Sequence, residues 1–400
     1  MIEPIKLKDC CLKIGSGATP KGGASVYIDE GVSLIRSQNV YNLNFSYSGL
    51  AHINDEAAEK LKGVTVYSRD VLLNITGDSV ARTCMVPDDV LPARVNQHVS
   101  IIRPDESVLN PRYLSYYMAS PFMQRYMLNV ALGKGASRSA ITKEMIEKFT
   151  IPIPIIEIQN KVVEILESYD KMLETNSRKI ELLERAAELL YKEWFVKFRF
   201  PGYERAEFEE KQPKGWVVGN RDKYYAPKCF SYGALSMIGE FTRGKNITAA
   251  EMEEGRIPVI SAGIEPSGYH SIANVFGRNL TISASGANAG YLKYNLEDIW
   301  AADCSYYQND ENIWFVYNTL KFLQPVISNM QCGAAQPHVY PKHINRLSIL
   351  IPTKELINQY NQTVSHFYDE ISCIRKQNSN LLMQRNRILP RLMSGKSEVK

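Results

Sequence analysis

Apolar positions step alternately by four and three residues through Val162, Leu166, Tyr169, Leu173, Asn176, Ile180, Leu183, Ala187, Leu190 and Trp194. The same stepping returns through Tyr360, Val364, Phe367, Ile371, Ile374, Asn378, Leu381, Arg385, Ile388 and Leu392, each displaced by 198 residues. A seam of this length predicts two long helices, each laying one stripe against a partner. Only Asn176, Asn378 and Arg385 interrupt the stripe with strongly polar groups. The first helix is expected from about Glu157 to Phe200, where Pro201-Gly202 cannot continue it. At ~1.5 Å per residue that is a rod of roughly 60 Å. Two such rods in one chain most simply pair with each other. An antiparallel pairing that respects the repeat sets Asn176 opposite Asn378, Tyr169 opposite Arg385 and Trp194 opposite Tyr360. A buried amide pair fixes alignment, because a slip strands one amide at a cost of ~1–3 kcal/mol. Pro390 breaks the second pattern, so the seam is expected to be firm as far as Ile388.

The repeat begins upstream of the helices. Gly135-Ala136 matches Gly333-Ala334, Ile146 matches Ile344, and Ile151-Pro152-Ile153-Pro154 matches Ile349-Leu350-Ile351-Pro352 at the same offset. A looser likeness joins 31–37 to 255–261, and Thr76-Gly77-Asp78 to Ser285-Gly286-Ala287. Strand-like runs at 32–35, 71–75 and 99–102 alternate with polar turns. Asn110-Pro111 predicts a capped helix that buries Tyr113, Leu114, Tyr117 and Met118, and a short helix is expected after Thr142. The fold class is therefore α+β: two mixed α/β domains at 1–152 and 201–352, separated by long helices at 153–200 and 353–400. These helices are expected to form an antiparallel coiled coil, with a pseudo-two-fold internal repeat.

Composition narrows the function without naming it. The 400 residues, 44% hydrophobic and 22% charged, can bury more than one core. No apolar run approaches the ~18–20 residues of a membrane span, and the N-terminus lacks a signal pattern, so a cytoplasmic protein is expected. Seven cysteines without CxxC spacing fit free thiols in a reducing compartment, and six histidines without HExxH spacing offer no metal site. A net charge of +4 carries no basic domain, so a nucleic-acid binder would have to gather its cations on one face.

Catalytic constellations are weak. The stretch from Gly239 through Lys245 fits GxxxxGK but places Asn246 where a hydroxyl should meet magnesium, and no clear apolar strand precedes it. Asn110-Pro111-Arg112-Tyr113 is one substitution from the tetrapeptide with which amino-methyltransferases hold a base, yet helix capping explains it. Asp55, Glu56 and Glu59 beside Lys60 and Lys62 read as a solvated helix face. No catalytic residue is assigned.

Polar loops that recur in both halves remain. Lys13, Ser16, Thr19 and Lys21 have counterparts in Arg243, Lys245, Asn246 and Thr248. Arg36, Gln38 and Asn39 follow the first strand; Asn74, Thr76 and Arg82 surround the middle glycine, as do Ser285, Asn288 and Lys293 in the second half. Asn96, Gln97 and His98 precede another strand, and Lys134, Ser137 and Arg138 match the neighbourhood of Gln336. Arg and Lys neutralise phosphates or donate to guanine, and Asn and Gln pair with adenine, so these are the residue types base readout requires. The same types also line ordinary surface loops.

The central run Leu190-Tyr191-Lys192-Glu193-Trp194-Phe195-Val196-Lys197-Phe198-Arg199-Phe200-Pro201-Gly202, with Pro213-Lys214-Gly215-Trp216 after it, resembles the middle of the specificity subunits of type I restriction-modification enzymes. So do Leu389-Pro390-Arg391-Leu392-Met393-Ser394-Gly395-Lys396 and the Ile-Pro-Ile-Pro run. Leu350 and Ile357, the latter where Gln159 stands in the first copy, depart from the pattern. The resemblance implies two target recognition domains, each reading one half of a split sequence in double-stranded DNA. If both domains approach one face of the duplex, their half-site centres should lie ~10 bp apart, about one helical turn. It also implies two methyltransferase subunits docked on the helices, restriction/translocase subunits joining them, and S-adenosylmethionine, ATP and magnesium held by those partners. A self-contained DNA methyltransferase and a coiled-coil protein scaffold are the alternatives.

Overall fold

The computed structural model describes residues 4–133, 139–211, 224–330 and 338–393. It divides into two compact units, Met1–Thr175 with Asn378–Lys400, and Asn176–Gln377. Both cuts fall inside the long helices, so each unit owns a globular module and a segment of each helix.

In the first unit an antiparallel sheet orders Thr83–Met85, Val71–Asn74, Val99–Pro104 and Cys11–Ser16. All of Val71–Asn74 is buried, because the strand is paired on both edges and covered on both faces. Strand periodicity sends Val71 and Leu73 into one core and Leu72 into another, and likewise parts Ile102 from Ile101. A second, mixed sheet orders Tyr27–Ile28, Ala51–Ile53, Val32–Ile35, Ala93–Val95 and Thr65–Val66, with Val32–Ile35 and Ala93–Val95 parallel. Helix α1 (Asp55–Lys60) follows the Asn54 cap. Helix α2 (Pro111–Ala119) starts where expected, with Asn110 Oδ1 accepting from the Arg112 and Tyr113 amides and all four expected residues buried. Helix α3 (Pro121–Leu132) and the short α4 (Lys143–Glu147), capped by Thr142, complete the module.

The second unit repeats the four-stranded sheet strand for strand, while its second sheet has three strands where the first unit has five. Its antiparallel sheet orders Leu292–Asn295, Asn279–Ser283, Cys304–Tyr307 and Thr242–Arg243. Its second sheet holds Ile257–Ile260 parallel to Trp300–Ala301, with Gly268–His270 on the other edge. Pro4–Lys6 pairs with Thr150–Pro152 in the first unit, and Ser231–Ala234 pairs with Ser348–Ile351 in the second. Gly77 and Gly286 both take φ of +75°, so the loose likeness at these glycines marks one conserved left-handed turn. Helices α6 (Ile313–Phe322), α7 (Gln324–Asn329) and α8 (Pro341–Asn345) parallel α2 to α4.

Helix α5 spans Ile156–Tyr191 and α9 spans Lys354–Met393. Instead of continuing to Phe200, α5 passes into a π-helical turn, Lys192–Val196, which turns Trp194 and Phe195 into the core. Pro390 does not end α9. Leu389 and Met393 on either side of it are buried in the first unit's core with Val162 and Leu166, and this packing outweighs one missing hydrogen bond near the terminus. In the second unit Trp194 meets Tyr360 with ring centroids 5.7 Å apart, and Tyr360 Oη donates to the Ala187 carbonyl at 3.0 Å. The helical segments therefore run antiparallel within each unit.

None of the seam residues Tyr169, Leu173, Asn176, Ile180, Leu183, Phe367, Ile371, Ile374, Asn378 and Leu381 is exposed. The polar positions have individual solutions. Asn176 is half-buried rather than sealed and donates to Gln377 Oε1 at 3.2 Å. Arg385 reaches Asp170 at 2.5 Å, one residue beyond the expected Tyr169, and Tyr116 Oη donates to the same carboxylate at 2.6 Å. The second unit rebuilds this motif with other residues: Tyr294 Oη donates to Glu184 and accepts from Arg375 at 2.6 Å. Burial and the neighbouring carboxylate push both phenols well above their usual range.

Gln159 ties the start of α5 to the module, accepting from the Asn110 amide at 2.8 Å and donating to the Val108 carbonyl at 2.8 Å. Its apolar counterpart Ile357 does not leave the bond unmade. One turn later Asn361 accepts from the Trp314 amide at 2.9 Å and donates to the Asp310 carbonyl at 2.8 Å.

Candidate nucleic-acid interface

Each unit has a corner where its two sheets meet. In the first, the chain leaves Val95 and re-enters at Val99; in the second, it leaves Ala301 and re-enters at Cys304. A glycine-containing loop folds over each corner. Gly17 N donates to Val99 O at 2.9 Å and Ala18 N to Val95 O at 3.1 Å; Gly244 N donates to Cys304 O at 2.8 Å and Lys245 N to Ala301 O at 2.9 Å. A Cβ on Gly17 would lie 2.0 Å from Val95 O, and one on Gly244 2.4 Å from Ala302 O, so only glycine permits the approach.

Further backbone bonds fix the correspondence inside the corner. Asn96 N donates to Ile35 O at 3.0 Å as Ala302 N does to Ile260 O at 2.8 Å. Ile75 N donates to His98 O at 3.0 Å as Ala284 N does to Asp303 O at 3.3 Å. Asn96 thus corresponds to Ala302 and His98 to Asp303. Gln97 is an extra residue of the first unit. Across the sheet, Ser16 pairs with Ser100 where Arg243 pairs with Ser305, so Ser16 corresponds to Arg243.

On this common backbone the side chains differ. In the first unit Thr19 Oγ1 donates to Gln97 Oε1, Gln97 Nε2 donates to His98 Nε2 at 3.0 Å, and His98 Nδ1 meets Thr76 Oγ1 at 2.6 Å. Accepting at Nε2 leaves the His98 proton on Nδ1, which donates to Thr76. In the second unit Asp303 takes the histidine's place: Arg243 Nη2 donates to its Oδ1 and Ser285 Oγ to its Oδ2. Thr76 and Ser285 also bridge to matching segments, at Ala140 and His338.

Several of the residues expected at the interface are instead buried within the module. Asn39 is fully buried, with Nδ2 donating to Ser46 O at 2.8 Å and Oδ1 accepting from Arg36 N at 3.0 Å. Asn74 is equally sealed, and Nδ2 donates to Ser37 O at 2.8 Å; Ser283 Oγ makes the corresponding bond to Ala262 O at 2.9 Å. Amides enclosed this way hold the scaffold together. Asn96, also buried, spends its Oδ1 on the His98 amide at 3.1 Å, and buried Ser285 serves Asp303.

Other cations and amides are partly committed. Lys13 Nζ donates to Gly63 O at 2.7 Å, and burial, then Arg103, holds its ammonium below the usual range against the pull of Asp70. Arg36 Nη2 and Gln38 Nε2 both donate to Gly49 O, at 2.6 and 3.1 Å. Arg82 lies over the Tyr41 ring at 4.6 Å, Lys293 Nζ donates to Ile264 O at 3.1 Å, and Thr248 caps a turn through Glu251 at 2.7 and 2.8 Å. Half-buried Asn288 lines a cavity with Lys321 and Gln324. Ser16, Lys21, Lys245 and Asn246 are exposed beside the corners. Lys134, Ser137, Arg138 and Gln336 lie outside the described residues.

The GxxxxGK match has no phosphate cradle. Gly244 packs on strand backbone, Lys245 O accepts from Trp300 Nε1 at 2.9 Å, and only the single turn Ala249–Glu251 follows. Among the described residues no cluster of His, Cys, Asp or Glu could hold a metal ion, and no helix is long and apolar enough to cross a membrane.

Asp303 is the residue sequence reasoning missed. A carboxylate argues against a polyanion partner when read alone; only its place before a strand, matching His98, marks it.

The fold defines a duplicated α+β recognition module in which each copy is braced by antiparallel helical segments. Residues 2–185 match the family described as type I restriction modification DNA specificity domain. The chain is 22% identical to the type I restriction enzyme MjaIX specificity subunit of Methanocaldococcus jannaschii, over 98% of this chain and 93% of that one. It is 24% identical to the HindI specificity subunit of Haemophilus influenzae, over 91% and 94%. In fold it is similar to the type I restriction-modification S subunit from M. genitalium, with a TM-score of 0.57 at 15% identity, covering 98% and 96%. Residues 2–185 thus carry the likeness to the type I restriction modification DNA specificity domain, and nearly the whole chain is similar in sequence to type I restriction enzyme specificity subunits.

Proposed function

We propose that this chain reads a two-part DNA sequence on behalf of a type I restriction-modification complex in the cytoplasm, each module taking one half-site. The observation that carries this reading is one scaffold built twice, with matched backbone bonds and unlike exposed side chains at the same corner. A single sequence read twice would need like side chains; two different half-sites need unlike ones. Joining two weak readings in one chain raises the effective concentration for the second, provided the geometry fits both.

The chemistry is assigned to partners. Two methyltransferase subunits would dock on the helices and hold S-adenosylmethionine, and restriction/translocase subunits would supply ATP and magnesium chemistry. The Gly244 turn supports that assignment, since strand backbone fills the space a phosphate would need.

A gel shift of the full-length chain with its methyltransferase subunits on genomic duplex fragments tests this. Retention of a subset of fragments against excess competitor, weakening steeply with salt, is expected. Retention of none supports a protein scaffold, and S-adenosylmethionine binding by the chain alone supports a self-contained methyltransferase.

A further inference from the structure

We propose that the two equivalent corners are the base-reading points of the chain, with Arg243 selecting a guanine in one half-site and Gln97 an adenine in the other. This rests on the DNA-reading function proposed above and adds the base class to it. Around each corner the backbone bonds are conserved pair by pair, yet the residue that fills it is not. In the second unit Arg243 stands where the first has Ser16, and Ala302 where the first has Asn96. In the first unit Ser16 is small, and the extra residue Gln97 occupies the corner. One long polar side chain is thus supplied to each corner, from a different strand end.

Both side chains are held yet keep unused capacity. The Asp303 carboxylate takes one Arg243 nitrogen and is itself held on its other oxygen by Ser285. Arg243 remains 40% exposed, and its guanidinium carries further N–H donors beyond the one given to Asp303. A guanidinium fixed in this way forfeits little rotamer freedom on binding and matches guanine O6 and N7. Gln97 is exposed, and its amide is anchored at both ends, by Thr19 on oxygen and His98 on nitrogen. One N–H and one lone pair remain, the set that pairs with adenine N7 and N6. Asp303 and His98 are positioning residues; neither needs to touch a base.

The test is selection from a randomised duplex library by the full-length chain with its methyltransferase subunits, followed by sequencing of bound DNA. Wild type should enrich a two-part motif. Arg243→Ala and Arg243→Lys should each lose about five- to 150-fold discrimination at one G·C pair in one half, and Gln97→Ala a comparable amount at one A·T pair in the other half. Thermal unfolding of each variant, matching wild type, shows that the module is intact. A wild-type motif that survives unchanged in the variants overturns the inference while leaving the DNA-reading function standing. Uniform weakening across all sequences with a shallower salt slope in Arg243→Ala assigns that residue to phosphate and also overturns it. Failure of wild type to enrich any motif removes both.

Discussion

Replacing Asp70 by Ala is expected to destabilise the first unit by about 3–5 kcal/mol. Asp70 is completely buried at the end of a strand turn, and Arg103, 20% exposed, grips it with Nε and Nη2 at 2.7 Å each. The Tyr67 amide adds a third bond at 2.8 Å, and the Tyr67 ring covers the guanidinium at 4.1 Å. Arg103 stands on Val99–Pro104, the strand that also begins at the corner, so the ion pair and the corner share one element. Removing the carboxylate leaves a cation with little water and one remaining acceptor, Thr65 O at 3.2 Å. The double variant Asp70→Ala with Arg103→Met should recover part of the loss by removing the stranded charge. Urea unfolding of both variants measures this. A single-variant loss below about 1 kcal/mol would place the pair among weak surface bridges instead.

Trp314→Ala should cost the second unit a similar amount, about 3–5 kcal/mol, because it empties the largest sealed side chain of its core. Trp314 on α6 stacks on Tyr368 of α9, with ring centroids 3.6 Å apart and planes 6° from parallel. Tyr294 and Tyr317 close on its edges at 5.9 and 6.5 Å. This contact ties the module to its helical brace. Trp314→Phe should cost distinctly less, since the indole Nε1 has no hydrogen-bond partner among the described residues and only apolar area is lost. Equal losses for Ala and Phe in calorimetry would mean that the indole nitrogen matters and the stacking does not.

The helical part of the fold was legible because a seam tolerates no insertion. From Ile141 and Val339 onward the two copies keep one offset, and the stripe alone located both helices. Upstream the offset drifts, from 227 at Ser16 and Arg243, through 209 at Thr76 and Ser285, to 205 at Val99 and Cys304. Each loop that changed length erased the alignment while hydrogen bonding kept the scaffold. The sequence likeness at Gly77 and Gly286 survived because a left-handed turn demands glycine. Amide positions misled for a related reason. Asn39 and Asn74 have the chemistry of base readers, but a core where two sheets meet also needs donors for its stray carbonyls, and composition does not separate the two uses. Asn361 shows the reverse: the bond lost at Ile357 reappears one turn away, where only the folded helix reveals it.

In the function proposed above, two unlike heads on one duplicated scaffold specify one split target. Sequencing of methylated bases in cells carrying this chain with its methyltransferase subunits tests it most directly. Modification is expected to be confined to a motif of two different defined halves, separated by a fixed stretch of unspecified bases. Modification within one continuous motif, or at two copies of the same half, would contradict it.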